Sequence, residues 1–139
     1  MRDAVDSDAA AVAHLVGELG YEISIEQALA GVRRFSDDPA SRLLVAEHNQ
    51  EAVGLIGTHV VPRLDGDGLS CRITDLVVLA RVRRRGVAAA LVAAADAEAR
   101  RLGAPRLDLS SRDSRTDAHA FYTALGFQTR SRTFTRRLP

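Results

Sequence analysis

Apolar residues along this chain follow two alternating rhythms. Met1 to Val5 reads as a short strand. Val12, Leu15, Val16 and Leu19 then recur at helical spacing behind Asp6 or Ser7, either of which can cap a helix, and the pattern ends near Gly20. Ser24 with Gln27 has the form of a capping box, and Ile25, Leu29, Val32 and Phe35 lie on one face of a second helix that Asp37-Asp38-Pro39 stops. The rhythm then shortens. Leu43 to Glu47 and Ala52 to Val61 flank the polar turn His48-Asn49-Gln50-Glu51 and predict a hairpin. Pro62 to Leu69 is a loop, and Cys71 to Leu79 is a strand rich in β-branched residues. A long helix follows over Val87 to Leu102, with Gly103 as its stop and Pro105 beyond. Arg106 to Ser110 reads as a strand and Thr116 to Leu125 as a helix ended by Gly126. Phe127 to Leu138 alternates enough for one or two closing strands. The order predicts a single α/β or α+β domain, a mixed sheet with helices on its faces in three layers, over residues 1–139.

Composition narrows the chemistry. The chain has 139 residues, 46% of them hydrophobic and 27% charged, which suits one globular domain. No apolar run is long enough to cross a bilayer, and Asp3, Asp6 and Asp8 break up any secretory leader, so a cytoplasmic protein is expected. The single cysteine, Cys71, excludes an internal disulfide and a Cys-rich zinc site, and no histidine spacing suggests another metal. All 19 basic residues are arginine. Without lysine there is no P-loop lysine and no Schiff-base lysine. The alanine- and arginine-rich usage points to a GC-rich, bacterial genome. Net charge is +1, aromatics are 4% and tryptophan is absent, so the arginine cluster at Arg81 to Arg85 does not predict nucleic-acid binding.

That cluster sits where the chemistry concentrates. Asp75-Leu76-Val77-Val78 ends a strand, a basic glycine-containing loop turns, and a helix starts at Val87. A helix N-terminus presents unpaired N–H groups and partial positive charge, and so binds anions, phosphates above all. Gly86 permits a positive φ or a close ligand approach, while Ala88 and Ala89 keep the first turn slim. The same features also suit a plain helix-capping surface loop.

Two motifs carry a family resemblance. Arg83-Arg84-Arg85-Gly86-Val87-Ala88 resembles the acetyl-CoA signature Gln/Arg-x-x-Gly-x-Gly/Ala of the GNAT superfamily of N-acetyltransferases, and Ala118 to Phe127 resembles its later Ala-x-x-Phe-Tyr-x-x-x-Gly-Phe motif. One helix and one strand separate the motifs, as in that family. Within it the resemblance is nearest to aminoalkylphosphonate N-acetyltransferases and similar small bacterial members, carried by Asp108-Leu109-Ser110-Ser111, Arg115-x-Asp117-Ala118-His119-x-Phe121-Tyr122, Gly126-Phe127 and Phe134-Thr135. Three positions depart from the pattern. Ala88 stands for the commoner second glycine, Arg115 for an asparagine, and Arg72 for a glutamate, which removes any carboxylate role there.

The resemblance implies a mostly antiparallel sheet of six to seven strands with about four helices on both faces. It also implies acetyl-CoA as cofactor and acetyl transfer to a small-molecule primary amine by direct attack in a ternary complex. The cofactor-binding candidates are Leu76, Val77 and Val78 along the strand, then Arg83, Arg84, Arg85, Gly86, Val87, Ala88 and Ala89 around the pyrophosphate. The amide of Val77 or Val78 would face the thioester oxygen. Tyr122 is the candidate general acid, since a phenol of pKa about 10 nearly matches a thiol. Asp75 is either the general base or an ordinary surface or salt-bridged carboxylate. Ser110 and Ser111 could orient substrate or be polar strand ends. Arg63 would suit an anionic substrate and Asp65 with Asp67 a polyamine or aminoglycoside. Homodimerisation through the closing strands is a further expectation from the family. A non-catalytic acyl-CoA sensor and a protein or peptide N-acetyltransferase stay open as alternatives.

Overall fold

A computed structural model describes residues 1–139. The chain divides into two units, Met1–Asp108 and Leu109–Pro139. The first holds one five-stranded sheet in the order β1 (Arg2–Asp3), β2 (Ser41–His48), β3 (Glu51–Pro62), β4 (Leu69–Val78), β5 (Leu107–Asp108). The first three pairings are antiparallel and β4–β5 is parallel, so the sheet is mixed, as expected. Helices α1 (Ala9–Glu18), α2 (Ile25–Asp37) and α3 (Val87–Arg101) belong to this unit, and α4 (Thr116–Ala124) to the second.

Local signals act as the sequence suggests. Ser24 Oγ accepts the Gln27 N–H at 3.0 Å while Gln27 Oε1 accepts the Ser24 N–H at 2.8 Å, so two orphan donors at the start of α2 are satisfied reciprocally. Asn49 and Gln50, both at positive φ (50° and 64°), form the two-residue turn joining β2 to β3, a geometry whose twist matches that of the strands.

Two glycines show which helix covers which face of the sheet. A methyl group at Gly54 would lie 3.1 Å from Leu91 Cδ1 and 3.3 Å from Val87 Cγ1, so α3 packs against that face. A methyl at Gly57, on the opposite face, would lie 3.0 Å from Phe35 of α2. Leu15, Val45, Leu55, Ile56, Cys71 and Leu91 are fully buried between these layers. Glu98 of α3 is also buried. It is held by Arg42 of β2 at 3.0 Å and by Arg101 at 2.7 Å, as a buried carboxylate must be paired.

The strand count differs from expectation: five, not six to seven. Arg106 to Ser110 contributes only Leu107–Asp108, and no strand forms between Phe127 and Leu138. Among residues 128–138 only Phe134 and Leu138 are large and apolar, and both are exposed. The alternation there is one of threonine, serine and arginine, too polar for a buried face to secure a strand register.

Candidate active site

The pairing of β4 sets the geometry of the first unit's candidate site. Its bonds to β3 run from Leu69 to Val78, but β5 pairs with it only at Cys71 and Arg72. Beyond Arg72 the second edge of β4 has no neighbouring strand. The register also slips: Thr58 faces Ile73 while Gly57 faces Asp75, so Thr74 is the extra residue of a β-bulge. After the bulge, Asp75 and Val77 share one face and Leu76 and Val78 the other, the parity anticipated for this stretch. The missing Cβ of Gly57 leaves room for both bulge residues. A methyl there would meet Thr74 Oγ1 at 2.7 Å and Asp75 Oδ2 at 3.1 Å.

Backbone direction decides which amides face the open edge. The Leu79 N–H donates to the Val53 carbonyl of β3 at 2.9 Å. Successive residues of a strand aim their polar groups to opposite edges. Val77 therefore points into β3, whereas Leu76 and Val78 present N–H and C=O to the unpaired edge. Of the two candidate oxyanion donors, Val78 is the one with an outward amide.

The loop after β4 turns through Ala80–Val82 in a single 3₁₀ turn and reaches α3 at Val87. Its backbone bonds are Val82 N–H to Leu79 O at 3.1 Å and Arg83 N–H to Ala80 O at 3.2 Å, then Ala90 N–H to Gly86 O at 3.0 Å. Between them the amides of Arg84, Arg85, Gly86, Val87, Ala88 and Ala89 are the orphan donors of a helix start, and no side chain caps them. Gly86 is left-handed at φ 81°, and Arg84 is too at φ 62°. A side-chain-bearing residue pays about 1–2 kcal/mol to sit there. Such strain concentrates at functional sites.

The four arginines of the loop divide into two pairs. Arg81 forms an ion pair with Glu51. The Arg83 Nε donates to the Val78 carbonyl at 3.2 Å, and its Nη2 lies 3.7 Å from Glu18 Oε2 of α1. Arg84 and Arg85 are exposed at the start of α3 with no carboxylate beside them.

The other predicted site residues have their own surroundings. Tyr122 lies in the second unit on α4, half-buried, its ring edge-to-face with Phe121 at 5.5 Å and Phe127 at 5.8 Å between centroids. Burial pushes the phenol above its ordinary value of about 10, against a smaller opposing pull from the Arg115 charge, so at neutral pH the hydroxyl keeps its proton. His119 bonds the Arg112 carbonyl at 2.8 Å, Ser110 bonds Thr133 at 2.9 Å, and Ser111 Oγ is enclosed with no partner. Cys71 is wholly buried and its thiol is pushed up to about 11, mainly by burial, which suits packing and not nucleophilic attack. The charges weighed for substrate recognition neutralise one another: Arg63 pairs with Asp65 at 3.2 Å, and Arg106 reaches Asp65, Asp67 and Asp108 at 3.4, 3.1 and 3.1 Å. The Thr74 bulge over Gly57 and the bond from Arg83 to the Val78 carbonyl carried no sequence signal.

Strand, open edge, orphaned amides and helix start together form a donor-rich corner beside a strand edge, and helix starts of this kind attract anions. The chain matches the acetyltransferase (GNAT) family over residues 12–127 and belongs to it. It is 32% identical over 139 residues to the aminoalkylphosphonate N-acetyltransferase of Salmonella typhimurium, covering 99% of this chain and 90% of that protein. Among solved structures it resembles a transcriptional regulator from Bacillus halodurans C-125 (TM-score 0.88, 22% identity, 99% and 97% of the two chains). It likewise resembles an aminoglycoside N-acetyltransferase in complex with CoA (TM-score 0.86, 18% identity, 99% and 92%). These structural likenesses establish the GNAT fold.

Proposed function

We propose that residues 1–139 work as one N-acetyltransferase domain that moves an acetyl group from acetyl-CoA to the primary amine of a small molecule. The run of six orphaned amides from Arg84 to Ala89 carries this reading, because it sits at the end of a strand whose outer edge is unpaired. The residues present fit the cofactor: amides and the exposed Arg84 and Arg85 for the pyrophosphate, and the open groups of Leu76 and Val78 for an amide-bearing arm that pairs as a strand would. When bound, acetyl-CoA supplies an activated thioester.

The remaining chemistry belongs to side chains and backbone. An outward N–H of β4, at Leu76 or Val78, would donate to the carbonyl oxygen as negative charge grows there. The amine nitrogen forms the new C–N bond while the C–S bond breaks. Tyr122, a phenol that burial holds above its ordinary value, protonates the departing sulfur. Asp75, beside Gly57 and clear of that residue's missing side chain, takes the proton lost by the amine, directly or through water. The similarity to an aminoalkylphosphonate N-acetyltransferase puts aminoalkylphosphonates first among the acceptors to try.

Calorimetry with acetyl-CoA, followed by thiol release against aminoalkylphosphonates, amino acids, polyamines, aminoglycosides and a histone peptide, tests the proposal. Lysine is absent, so self-acetylation of side-chain amines adds no background. Release with a small amine supports the reading. Turnover on the peptide alone makes the chain a protein acetyltransferase, and binding without turnover on any amine favours a sensor. No binding overturns the reading.

A further inference from the structure

Helix α4 begins without a cap. Arg115 ahead of it lends no side-chain bond to the first amides, the helix is nine residues long, and none of its residues is buried. A helix so short is marginal on its own. Its far end is held: the Phe127 N–H donates to the Tyr122 carbonyl at 3.0 Å, and the Phe127 ring packs on the Tyr122 ring. At the near end the side-chain tie comes from His119, whose Nε2 lies 2.8 Å from the Arg112 carbonyl. That oxygen can only accept, so Nε2 carries the hydrogen. The same carbonyl accepts the Arg115 N–H at 3.0 Å and closes the turn that leads into α4. One oxygen thus gathers the turn before the helix and a side chain from within it.

We infer that His119 is a positioning residue: by tying the Arg112 carbonyl to α4 it holds the start of the helix, and with it the direction in which Tyr122, three residues on, presents its hydroxyl. Residues three apart on a helix are surface neighbours, so movement at His119 is passed to Tyr122. Phe121 and Phe127 fix where the Tyr122 ring packs. Without the tie the helix is held at its far end and frays from its start. The loss falls on proton delivery to the leaving sulfur, and so on turnover. Affinity for acetyl-CoA holds, because the amides at the start of α3 involve none of these groups. This inference rests on the reading of Tyr122 as the general acid.

Two substitutions isolate the bond. Leucine and glutamine are similar helix formers, but only glutamine donates, from an Nε2 as many bonds from the backbone as that of histidine. His119→Leu and His119→Gln are each made in the unchanged chain and in Tyr122→Phe. Calorimetry gives the acetyl-CoA Kd and thiol release gives kcat. In His119→Leu, kcat is expected to fall by about tenfold, as for a small misplacement of a reacting group, with Kd within about threefold. His119→Gln keeps kcat within about threefold of the unchanged chain. In Tyr122→Phe the positioned group is gone, so adding His119→Leu lowers kcat by less than about twofold, the coupling expected of residues that act through one another. A merely structural loss lowers both backgrounds alike. Amide hydrogen exchange reads the tie directly: protection at the start of α4 falls in His119→Leu and is kept in His119→Gln. Unchanged kcat in His119→Leu, His119→Gln no better than His119→Leu, or an equal loss in both backgrounds overturns the inference. Full kcat in Tyr122→Phe alone overturns the acid assignment itself, and is seen before any His119 variant is made.

Discussion

Residues 1–108 and 109–139 are built on different terms. Every buried hydrophobic side chain, from Ala4 to Ala104, lies in the first unit, and α4 in the second has no buried residue. One region is held by area removed from water and by the paired carboxylate of Glu98. The other has a short helix, local turns and two aromatic rings, Phe121 and Phe127, set edge-to-face on Tyr122. The contrast implies that stability and proton transfer can be damaged separately, since the residues that secure the fold are not those proposed to donate the proton.

The sharpest break should come at Tyr122. Tyr122→Phe is expected to lower kcat by about a hundredfold or more, worth roughly 3 kcal/mol in the barrier, since the general acid is lost. Stability should change by less than about 0.5 kcal/mol, because the ring contacts survive. Steady-state thiol release and urea unfolding of the same sample check both halves. Leu91→Ala should show the converse, about 2–5 kcal/mol of lost stability from an emptied site between α3 and the sheet, read from the urea midpoint.

Acid should act on the first unit through Glu98. Arg101, with Arg42 behind it, holds this carboxyl below its ordinary value, against burial, which raises it. A lowered carboxyl contributes stability above its unfolded pKa of about 4.3 and loses it as pH falls through the lower folded value. The melting temperature should thus hold between pH 7 and 5 and drop below about 4.3. Glu98→Gln should flatten that drop and cost about 2 kcal/mol at pH 7, less than a fully enclosed pair because both guanidinium groups reach solvent. Gly86→Ala should cost about 1 kcal/mol, since no atom lies near the added methyl and only the positive φ opposes it. The same change should weaken acetyl-CoA binding in calorimetry. Smallest of all, Phe134→Ser, at a side chain 91% exposed, should leave stability within about 0.5 kcal/mol by thermal melting.

Much of the molecule was legible beforehand because the forces are local. The Ser24–Gln27 box, the β2–β3 hairpin, the stop of α3 at Gly103 and the positive φ of Gly86 each depend on a few adjacent residues whose preferences are intrinsic. The Arg-x-x-Gly-x-Ala and Phe-Tyr-x-x-x-Gly-Phe motifs pointed to the family for the same reason. Closing strands were expected at Phe127 to Leu138 because alternation is a local property, but a strand also needs a partner edge and a face to bury. Neither is written in the segment itself.

What remained belonged to the tertiary structure. Periodicity placed Leu76, Val77 and Val78 on one strand but could not choose between the amides of Val77 and Val78. That choice depends on which edge pairs with β3, and the Thr74 bulge fixes the phase. Sequence supplied four arginines of equal charge in one loop. Only folding separated Arg81 and Arg83, drawn to Glu51, Glu18 and the Val78 carbonyl, from Arg84 and Arg85, left at the helix start. An arginine's type and spacing set what it can bind, whereas the groups that distant segments bring within reach decide what it does bind.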